Sequence, residues 1–252
     1  ISISPNTKKF IKPFIGGREL LRSIERYCVW LIDANPTEIR NDEIIKEKVN
    51  KVKIWRENSS RANTKKMADT PTIFAEIRQP KSTYLAFPTV SSENRNYIPI
   101  AYLEPNIIAS NQLYTIPNAT KYDFGILTSS MHMTWMRYVA GRLKSDYRYS
   151  SSVVYNNFPW AKEPSEKNRM KVEDKAQKVL DVRNEYSSSS LADLYDKLAM
   201  PPKLVKAHQE LDKAVDLCYR PQVFTTENTR IEFLFDLYNE YTLPMFNEKK
   251  KK

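Results

Sequence analysis

Glycine is the residue whose scarcity most constrains this chain, because only four of its 252 residues are glycine. They are Gly16, Gly17, Gly125 and Gly141. A dinucleotide-binding fingerprint or a phosphate-cradling loop needs several glycines within one strand-to-helix turn, and these positions do not supply them. The usual fold of S-adenosylmethionine enzymes also needs a glycine-containing turn after its first strand. We therefore expect no catalytic centre and no cofactor in this chain, and we expect it to bind a partner while any chemistry takes place elsewhere.

Positive charge is concentrated in the first part of the chain. The formal net charge is +10, and residues 1–160 hold 23 basic and 14 acidic side chains, against 17 and 16 in residues 161–252. A basic part joined to a nearly neutral one is typical of a polyanion-binding domain attached to a scaffold. Since solvated lysines are common, ordinary surface charge is the alternative. The length allows one large domain or two modest ones, and 41% hydrophobic residues suffice for a buried core.

Cysteine and histidine usage argues against a disulfide framework or a metal site. Cys28 and Cys218 each lie within a helical apolar pattern, which indicates reduced core residues of a cytoplasmic protein. His132 and His208 have no ligand-like neighbours, so we expect no metal. No apolar run approaches the ~20 residues that span a bilayer, and no signal peptide precedes the first helix, so we expect no membrane partner. Because the chain begins with Ile1 rather than Met, we expect it to be part of a longer protein.

Hydrophobic periodicity and turn residues predict helices around a sheet in the first part of the chain. We predict a helix over Gly17–Asp33, a second from about Thr37 to Trp55, and a loop or short helix in the polar stretch that follows. Residues 72–127 contain short runs rich in β-branched and aromatic residues, among them YDFGILT, and predict a mostly antiparallel sheet. A helix from Ser130 to about Leu143 and extended chain ending at Pro159 complete this part.

The remainder of the chain is predicted to form amphipathic helices. We predict helices over Ser165–Tyr186, over KLVKAHQELDKAVDLCY (residues 203–219) and over RIEFLFDLYNEY (residues 230–241). The predicted fold class is α+β. A β-rich mixed domain with flanking helices occupies residues 1–160, and a small helical bundle occupies residues 161–252.

Several strings resemble the C-terminal portion of MmeI-like (type IIL) restriction–modification enzymes. They are FIGGRELLRSIERYCVWLID, TVSSENRNYIPIAYL, FGILTSSMHMTWMRYVAGRLKSDYRYSSSVVYNNFPW and LYDKLAMPPKLVKAHQELDKAVDLCY. In that family one polypeptide joins a nuclease, an adenine-amino methyltransferase, a target recognition domain and a C-terminal helical domain. The resemblance spans nearly the whole chain, and it implies that residues 1–160 are the target recognition domain and residues 161–252 the helical C-terminal domain.

The resemblance also implies partners and cofactors. The parent enzyme is expected to bind double-stranded DNA and S-adenosylmethionine, with Mg²⁺ where an active nuclease is present. The catalytic methyltransferase domain of the same polypeptide is then the second partner of this chain. Whether the parent cuts DNA or only methylates it stays open.

The string GRLKSDYRYS contains residue types suited to reading base edges. If it is extended from Leu143 to Tyr149, alternation places Lys144, Asp146 and Arg148 on one face and Ser145, Tyr147 and Tyr149 on the other. Lysine donates to guanine and a carboxylate accepts from the cytosine amine, so Lys144 and Asp146 could span one G·C pair. In the family that the chain resembles, the matching residues select one base pair beside the methylated adenine, and the residue matching Arg148 assists at a neighbouring position. The alternative is a surface ion pair worth under ~1 kcal/mol.

Two further groups are candidate DNA contacts. Asn111 and Gln112 carry amides that can bond adenine bidentately, and the resemblance places their loop beside the Lys144 segment; a plain turn between strands is the alternative. Basic residues in Ser/Asn-rich loops are candidate phosphate contacts: Arg56, Arg61, Lys65, Lys66, Lys81 and Arg95. Each of them taken alone is also typical of a solvated charge.

The predicted function is sequence-specific recognition of double-stranded DNA, by which this module positions an adenine that the parent flips out and methylates. Two alternatives come from other classes. One is a protein–protein scaffold whose helical half docks a partner enzyme, and the other is a nonspecific nucleic-acid-binding accessory module. Loss of affinity with salt and preference over random duplex distinguish the first function from these two.

Overall fold

The computed structural model describes residues 5–248 of the chain, with side chains described from residue 5 to residue 243. The C-terminal lysine run that begins at Lys249, for which the sequence predicts a solvated end, lies outside these residues. The fold is α+β, as predicted. In chain order the helices are α1 Pro5–Lys8, α2 Gly17–Arg22, α3 Pro36–Asn41, α4 Glu43–Glu57, α5 Ala62–Lys66, α6 Lys121–Leu127, α7 Ser130–Val139, α8 Glu166–Asn184, α9 Leu191–Leu194, α10 Pro202–Tyr219 and α11 Glu227–Glu248.

The strands are short and form small sheets around these helices. They are β1 Ile11–Ile15, β2 Tyr27–Val29, β3 Tyr84–Pro88, β4 Val90–Ser91, β5 Ala101–Leu103, β6 Ile108–Ala109, β7 Leu113–Pro117, β8 Gly141–Leu143 and β9 Asp146–Arg148. Within the described residues they pair in the orders β2-β1-β6, β5-β3-β7 and β4-β9-β8. A 3₁₀ turn at Met67–Asp69 and a π-helical turn at Ser151–Tyr155 complete the regular structure.

The helix predicted over Gly17–Asp33 ends early. Ser23 adopts a left-handed conformation with φ of 52° and caps α2, after which the chain returns as β2, antiparallel to β1. Cys28 therefore lies in a strand rather than in a helix, and burial raises the pKa of its thiol to about 11. The prediction was wrong because Tyr27, which fits the helical spacing of the apolar residues, and the nearby Val29 are residue types that favour strands.

The antiparallel sheet predicted within residues 72–127 is confirmed for β3, β5 and β7. Strand β3 is central and buried along its whole length. The string YDFGILT, however, forms most of α6 and not a strand. Thr120 and Asp123 form a capping box that starts this helix, because each side chain accepts a hydrogen bond from the other's backbone N–H. The aromatic and β-branched residues of α6 are buried by packing between elements rather than by pairing in a sheet.

The region between Ser130 and Pro159 also departs from prediction. Helix α7 ends at Val139, four residues before the predicted end at Leu143, because Gly141–Leu143 pairs with β9 instead. The extended chain predicted up to Pro159 contains β9 and is then interrupted by the π-helical turn.

Helices α8, α10 and α11 confirm the three helices predicted in the second part of the chain, and they pack on the first part through one continuous core. Gly125 in α6 approaches α8 so closely that a Cβ there would lie 2.7 Å from Cγ1 of Val172. The buried carboxylate of Asp212 in α10 accepts hydrogen bonds from the backbone N–H of Ser130 at 2.7 Å and from the hydroxyl of Tyr97 at 2.8 Å. These contacts hold the helical part against the elements that carry the candidate site.

Candidate nucleic-acid interface

The segment predicted to read base edges forms a β-hairpin rather than one extended strand. Strand β8 pairs antiparallel with β9 in the register Gly141↔Arg148, Arg142↔Tyr147 and Leu143↔Asp146. Lys144 and Ser145 form the two-residue turn between the strands, and Lys144 has a φ of 56°. The expectation of extended chain through Lys144 was therefore wrong. Turns that need a positive φ are usually marked by Gly or Asn, and this one carries neither.

Beyond the turn, the predicted alternation holds along β9. The side chains of Tyr147 and Tyr149 are only 6% and 2% exposed, while Arg148 is exposed and Asp146 is partly exposed. The hydroxyl of Tyr149 lies 2.9 Å from Nε2 of the buried His132, which fixes this side of the strand in the core. The charged side chains therefore face outward from an aromatic backing, and Lys144 is exposed at the tip of the hairpin.

Arg142 in β8 and Glu93 in the loop after β4 hold the tip of the hairpin. Nη1 of Arg142 donates to the carbonyl of Ser145 at 2.7 Å and lies 3.6 Å from the carboxylate of Glu93. The backbone N–H of Glu93 in turn donates to Oδ1 of Asp146 at 3.4 Å. These bonds couple the turn and the Asp146 carboxylate to the loop that follows β4.

Asn111 and Gln112 lie in the loop between β6 and β7, and both are exposed. The N–H of Thr89 donates to the carbonyl of Gln112 at 3.0 Å, and the N–H of Tyr149 donates to the carbonyl of Thr89 at 2.9 Å. The loop between β6 and β7 and the end of β9 are thus joined through a single intervening residue. The Asn111 loop is therefore connected to the Tyr149 end of the hairpin, opposite the turn at Lys144.

Arg95 lies beside the hairpin as well, although the sequence predicts it as a phosphate contact. Its side chain is partly buried, and this burial lowers the pKa of the guanidinium while the carboxylates of Asp146 and Asp196 oppose that effect. Arg95 is therefore an electrostatic neighbour of Asp146 rather than an isolated loop cation.

Arg56 does not fit the phosphate contact predicted for it. It is only 8% exposed, and its guanidinium donates to the carbonyls of Met67 and Thr70, both at 2.9 Å, and of Ile73 at 2.8 Å. The side chain therefore joins α4 to the segment after α5. Sequence alone could not show this, because the three carbonyls lie 11 to 17 residues further along the chain.

The other predicted phosphate contacts are exposed and fall into two places. Arg61 precedes α5, and Lys65 and Lys66 form its last turn. Lys81 lies apart from them, in the segment that leads into β3. An exposed cation on a short helix can reach a phosphate without losing a contact that holds the fold.

Sequence reasoning missed three residues of this surface, Arg142, Glu93 and Leu143. Arg142 and Leu143 were assigned to the end of a helix, and only the turn at Lys144 shows that they belong to a hairpin. The one signal in the sequence was Gly141, which favours the end of a helix over its continuation.

Within the described residues, no group of three or more His, Cys, Asp or Glu side chains could hold a metal ion. None of the helices described has both the length and the apolar character needed to cross a membrane.

Known protein families match both parts of the chain. Residues 1–162 match the model of a target recognition domain and residues 164–246 match the model of a C-terminal domain, both described for MmeI. The chain belongs to the MmeI target recognition domain family. DNA methyltransferase A of Bacillus subtilis (strain 168) is 40% identical over 238 residues, which cover 94% of this chain and 27% of that protein.

A solved structure is also similar. The type IIL restriction-modification enzyme MmeI in complex with DNA shares 45% sequence identity and a TM-score of 0.91, and the match covers 94% of this chain and 32% of the MmeI chain. The chain thus spans about a third or less of the length of each of these two relatives.

Proposed function

We propose that this chain is the sequence-specific double-stranded DNA recognition module of a type IIL restriction–modification enzyme or DNA adenine methyltransferase. In this proposal residues 1–160 are the DNA target recognition domain, and residues 161–252 are a helical domain that braces the other side of the duplex. The likeness to an enzyme solved in complex with DNA supports the proposal, as does the excess of 23 basic over 14 acidic side chains in residues 1–160. The hairpin of β8 and β9 enters the major groove, which admits a two-stranded β-ribbon.

The observation that supports the proposal most strongly is that one face of β9 is buried and aromatic while the other is exposed and charged. Buried tyrosines anchor one side, while Asp146 and Arg148 face outward beside the exposed tip at Lys144. A strand rises about 3.4 Å per residue, so these two outward residues are about 7 Å apart. Since base pairs are stacked about 3.4 Å apart, the two side chains can reach different base pairs.

The chemistry of the side chains suggests which base edges they read. The ammonium of Lys144 donates to O6 and N7 of guanine, and the carboxylate of Asp146 accepts from N4 of the paired cytosine. Arg148 assists at a neighbouring position. Asn111 and Gln112, in the loop joined through Thr89 to the end of β9, have amides that suit the N6 and N7 atoms of adenine.

The exposed cations outside the hairpin contact the phosphates of the duplex. Arg61, Lys65, Lys66 and Lys81 are the candidates that remain once Arg56 is assigned to the fold and Arg95 to the surroundings of Asp146. Their contacts set register and orientation but carry no sequence information.

The parent enzyme supplies the reaction. Its methyltransferase domain, on the same polypeptide, binds S-adenosylmethionine and methylates an adenine flipped out of the duplex, and Mg²⁺ serves the nuclease where one is present. This chain sets the site at which that reaction occurs. We place the enzyme in the cytoplasm.

Salt dependence and competition test the proposed function. Four phosphate contacts give a slope of about −3.6 in log affinity against log salt, so affinity for the preferred duplex should fall roughly a hundredfold between about 50 and 200 mM salt. Unlabelled preferred duplex should displace bound DNA far better than random duplex of equal length. A shallow slope with no such preference supports a protein scaffold instead, and a steep slope with equal competition supports a nonspecific accessory module.

A further inference from the structure

Leu143 is an apolar residue on the charged face of the hairpin. It occupies the last paired position of β8, directly opposite Asp146. Residues that face each other across an antiparallel pair project on the same side of the sheet, so Leu143 shares the outward face with Asp146 and Arg148. Its neighbour Arg142 pairs with the buried Tyr147 and faces the other way.

The side chain of Leu143 contributes little to the hydrophobic core. Leu143 is 53% exposed, although leucine is among the residues that gain most from burial. Gly141, the next residue of β8 on the same face, brings no side chain, and a Cβ there would meet nothing within 4 Å. An isolated exposed leucine is ordinary on a protein surface, but this one lies in register with a carboxylate placed to read a base.

The distance across the hairpin limits what Leu143 can reach. Side chains paired across two strands have Cβ atoms about 5 Å apart, and stacked base pairs are about 3.4 Å apart. When Asp146 accepts from a cytosine amine, Leu143 therefore faces the same pyrimidine or the one a single step away. The apolar group that the major groove offers there is a methyl on pyrimidine C5, as in thymine.

We propose that Leu143 is a specificity-determining residue that contacts the C5-methyl group of a pyrimidine within one base step of the pair read by Lys144 and Asp146. The proposal rests on the function proposed above and adds an apolar determinant to its charged ones. Thymine in a neighbouring pair and 5-methylcytosine in the pair itself offer the same methyl chemistry.

Selection from a random duplex library provides the first part of the test. The full 252-residue chain is compared with the variants Leu143→Ala and Leu143→Gln, and with Leu198→Ala as control, since Leu198 is a leucine 96% exposed in the loop after α9. We expect the two Leu143 variants to lose the preference for a C5-methyl pyrimidine at one position next to the Lys144/Asp146 pair. The Leu198 variant should select the same sequences as the original chain.

Synthetic duplexes then test the methyl group itself. Replacing that thymine with deoxyuridine removes only the methyl, and we expect the original chain to lose about three- to fivefold in affinity, the effect of one buried methyl group. Replacing the read cytosine with 5-methylcytosine tests the second source and should raise affinity if the contact lies in the pair itself. Leu143→Ala should be insensitive to either replacement.

Three outcomes would overturn the proposal, and only the last would overturn the proposed function as well. If the original chain selects a sequence but neither base replacement changes its affinity, or if Leu143→Ala responds as the original chain does, Leu143 is not a determinant while the proposed function stands. If the original chain prefers no duplex over random DNA, the proposed function fails together with this inference.

Discussion

The guanidinium carbon of Arg142 lies 3.9 Å from the centroid of the Tyr147 ring, directly across the β8–β9 pair. The same guanidinium donates to the carbonyl of Ser145 in the turn. The tip of the hairpin is thereby tied to Tyr147, a residue that is only 6% exposed. Arg142 therefore restricts the position of the turn, and with it the positions of Lys144 and Asp146, relative to the core.

Replacing Arg142 with Ala should therefore loosen recognition more than it weakens binding. The variant loses a cation–π contact and a charge-assisted hydrogen bond, but it leaves Lys144, Asp146 and the phosphate contacts in place. We expect the affinity ratio between preferred and random duplex to fall about tenfold, with a smaller loss on random duplex. Competition binding measures both.

Arg142→Lys is the matched control for this prediction. It keeps the charge but lacks the planar fork that stacks on the ring and reaches the carbonyl, so its specificity should resemble that of the Ala variant. Full specificity in the Lys variant would show that charge alone is what the position needs.

Arg56→Ala should destabilise the fold rather than impair DNA binding directly. It leaves three partly buried carbonyls without their shared donor, and each buried unsatisfied group costs on the order of 1–3 kcal/mol. We expect the free energy of unfolding to drop by about 3 kcal/mol, as measured by urea denaturation. Lys53→Ala, an exposed position on the same helix, should change it by less than about 1 kcal/mol. An Arg56 variant with full stability and reduced affinity would restore the phosphate role that the structure argues against.

Replacing Lys65 and Lys66 together with Ala should weaken binding to all duplexes alike. The two exposed cations lie in the last turn of α5 and contact phosphates rather than bases in our proposal. We expect the slope of log affinity against log salt to become shallower by about 1.8, the contribution of two phosphate contacts. Lys203→Ala, at a lysine paired with Glu185 in the helical part, serves as control. A loss confined to one sequence would assign Lys65 or Lys66 to base reading.

Stability should fall as the pH is lowered through the range in which unfolded histidines take up protons. Burial lowers the pKa of His132 to about 3, and burial together with the positive charge of Arg183 lowers the pKa of His208 to about 3. In the unfolded chain both titrate near about 6.5, so between these values the unfolded state binds protons that the folded state does not. Burial raises the pKa of Asp212. At pH values just above the usual pKa of an aspartate, the folded state therefore keeps a proton on Asp212 that the unfolded state has lost, and this opposes the loss of stability caused by the histidines.

Urea unfolding at pH 7 and pH 5 measures this effect. We expect a loss on the order of 3 kcal/mol between the two, because each histidine contributes up to about 1.4 kcal/mol per pH unit below its unfolded pKa. The double variant His132→Gln, His208→Gln should show a clearly smaller loss. Equal stability of the original chain at both pH values would mean that the imidazoles are reached by protons in the folded state.

Residue types and periodicity predicted the helices of the second part well, because α8, α10 and α11 are long and, where side chains are described, bury residues at helical spacing. Short elements were harder to predict. A seven-residue segment such as α6 carries too few residues to separate the helical from the strand period, and only its capping box at Thr120 marked it as a helix.

In the candidate site, too, features set by a local pattern were predicted and features set by pairing or distant contacts were not. Outward charge and inward tyrosine along β9 follow from local alternation and were predicted correctly. The turn at Lys144 was not, because its positive φ is imposed by the pairing of β8 with β9 and not by a turn residue. The role of Arg56 depends on carbonyls that fold back onto α4, which no local pattern reveals.

Exchanging the charges of the Lys144 and Asp146 pair tests the central claim most directly. In the full-length parent, Lys144→Glu combined with Asp146→Arg places the acceptor where the donor stood, and methylation-sensitive sequencing of DNA from cells that express it reports the site. We predict that one recognised base pair changes from G·C to C·G while the other positions are kept. Methylation at the original sequence by the exchanged enzyme would contradict the assignment of this hairpin to base reading.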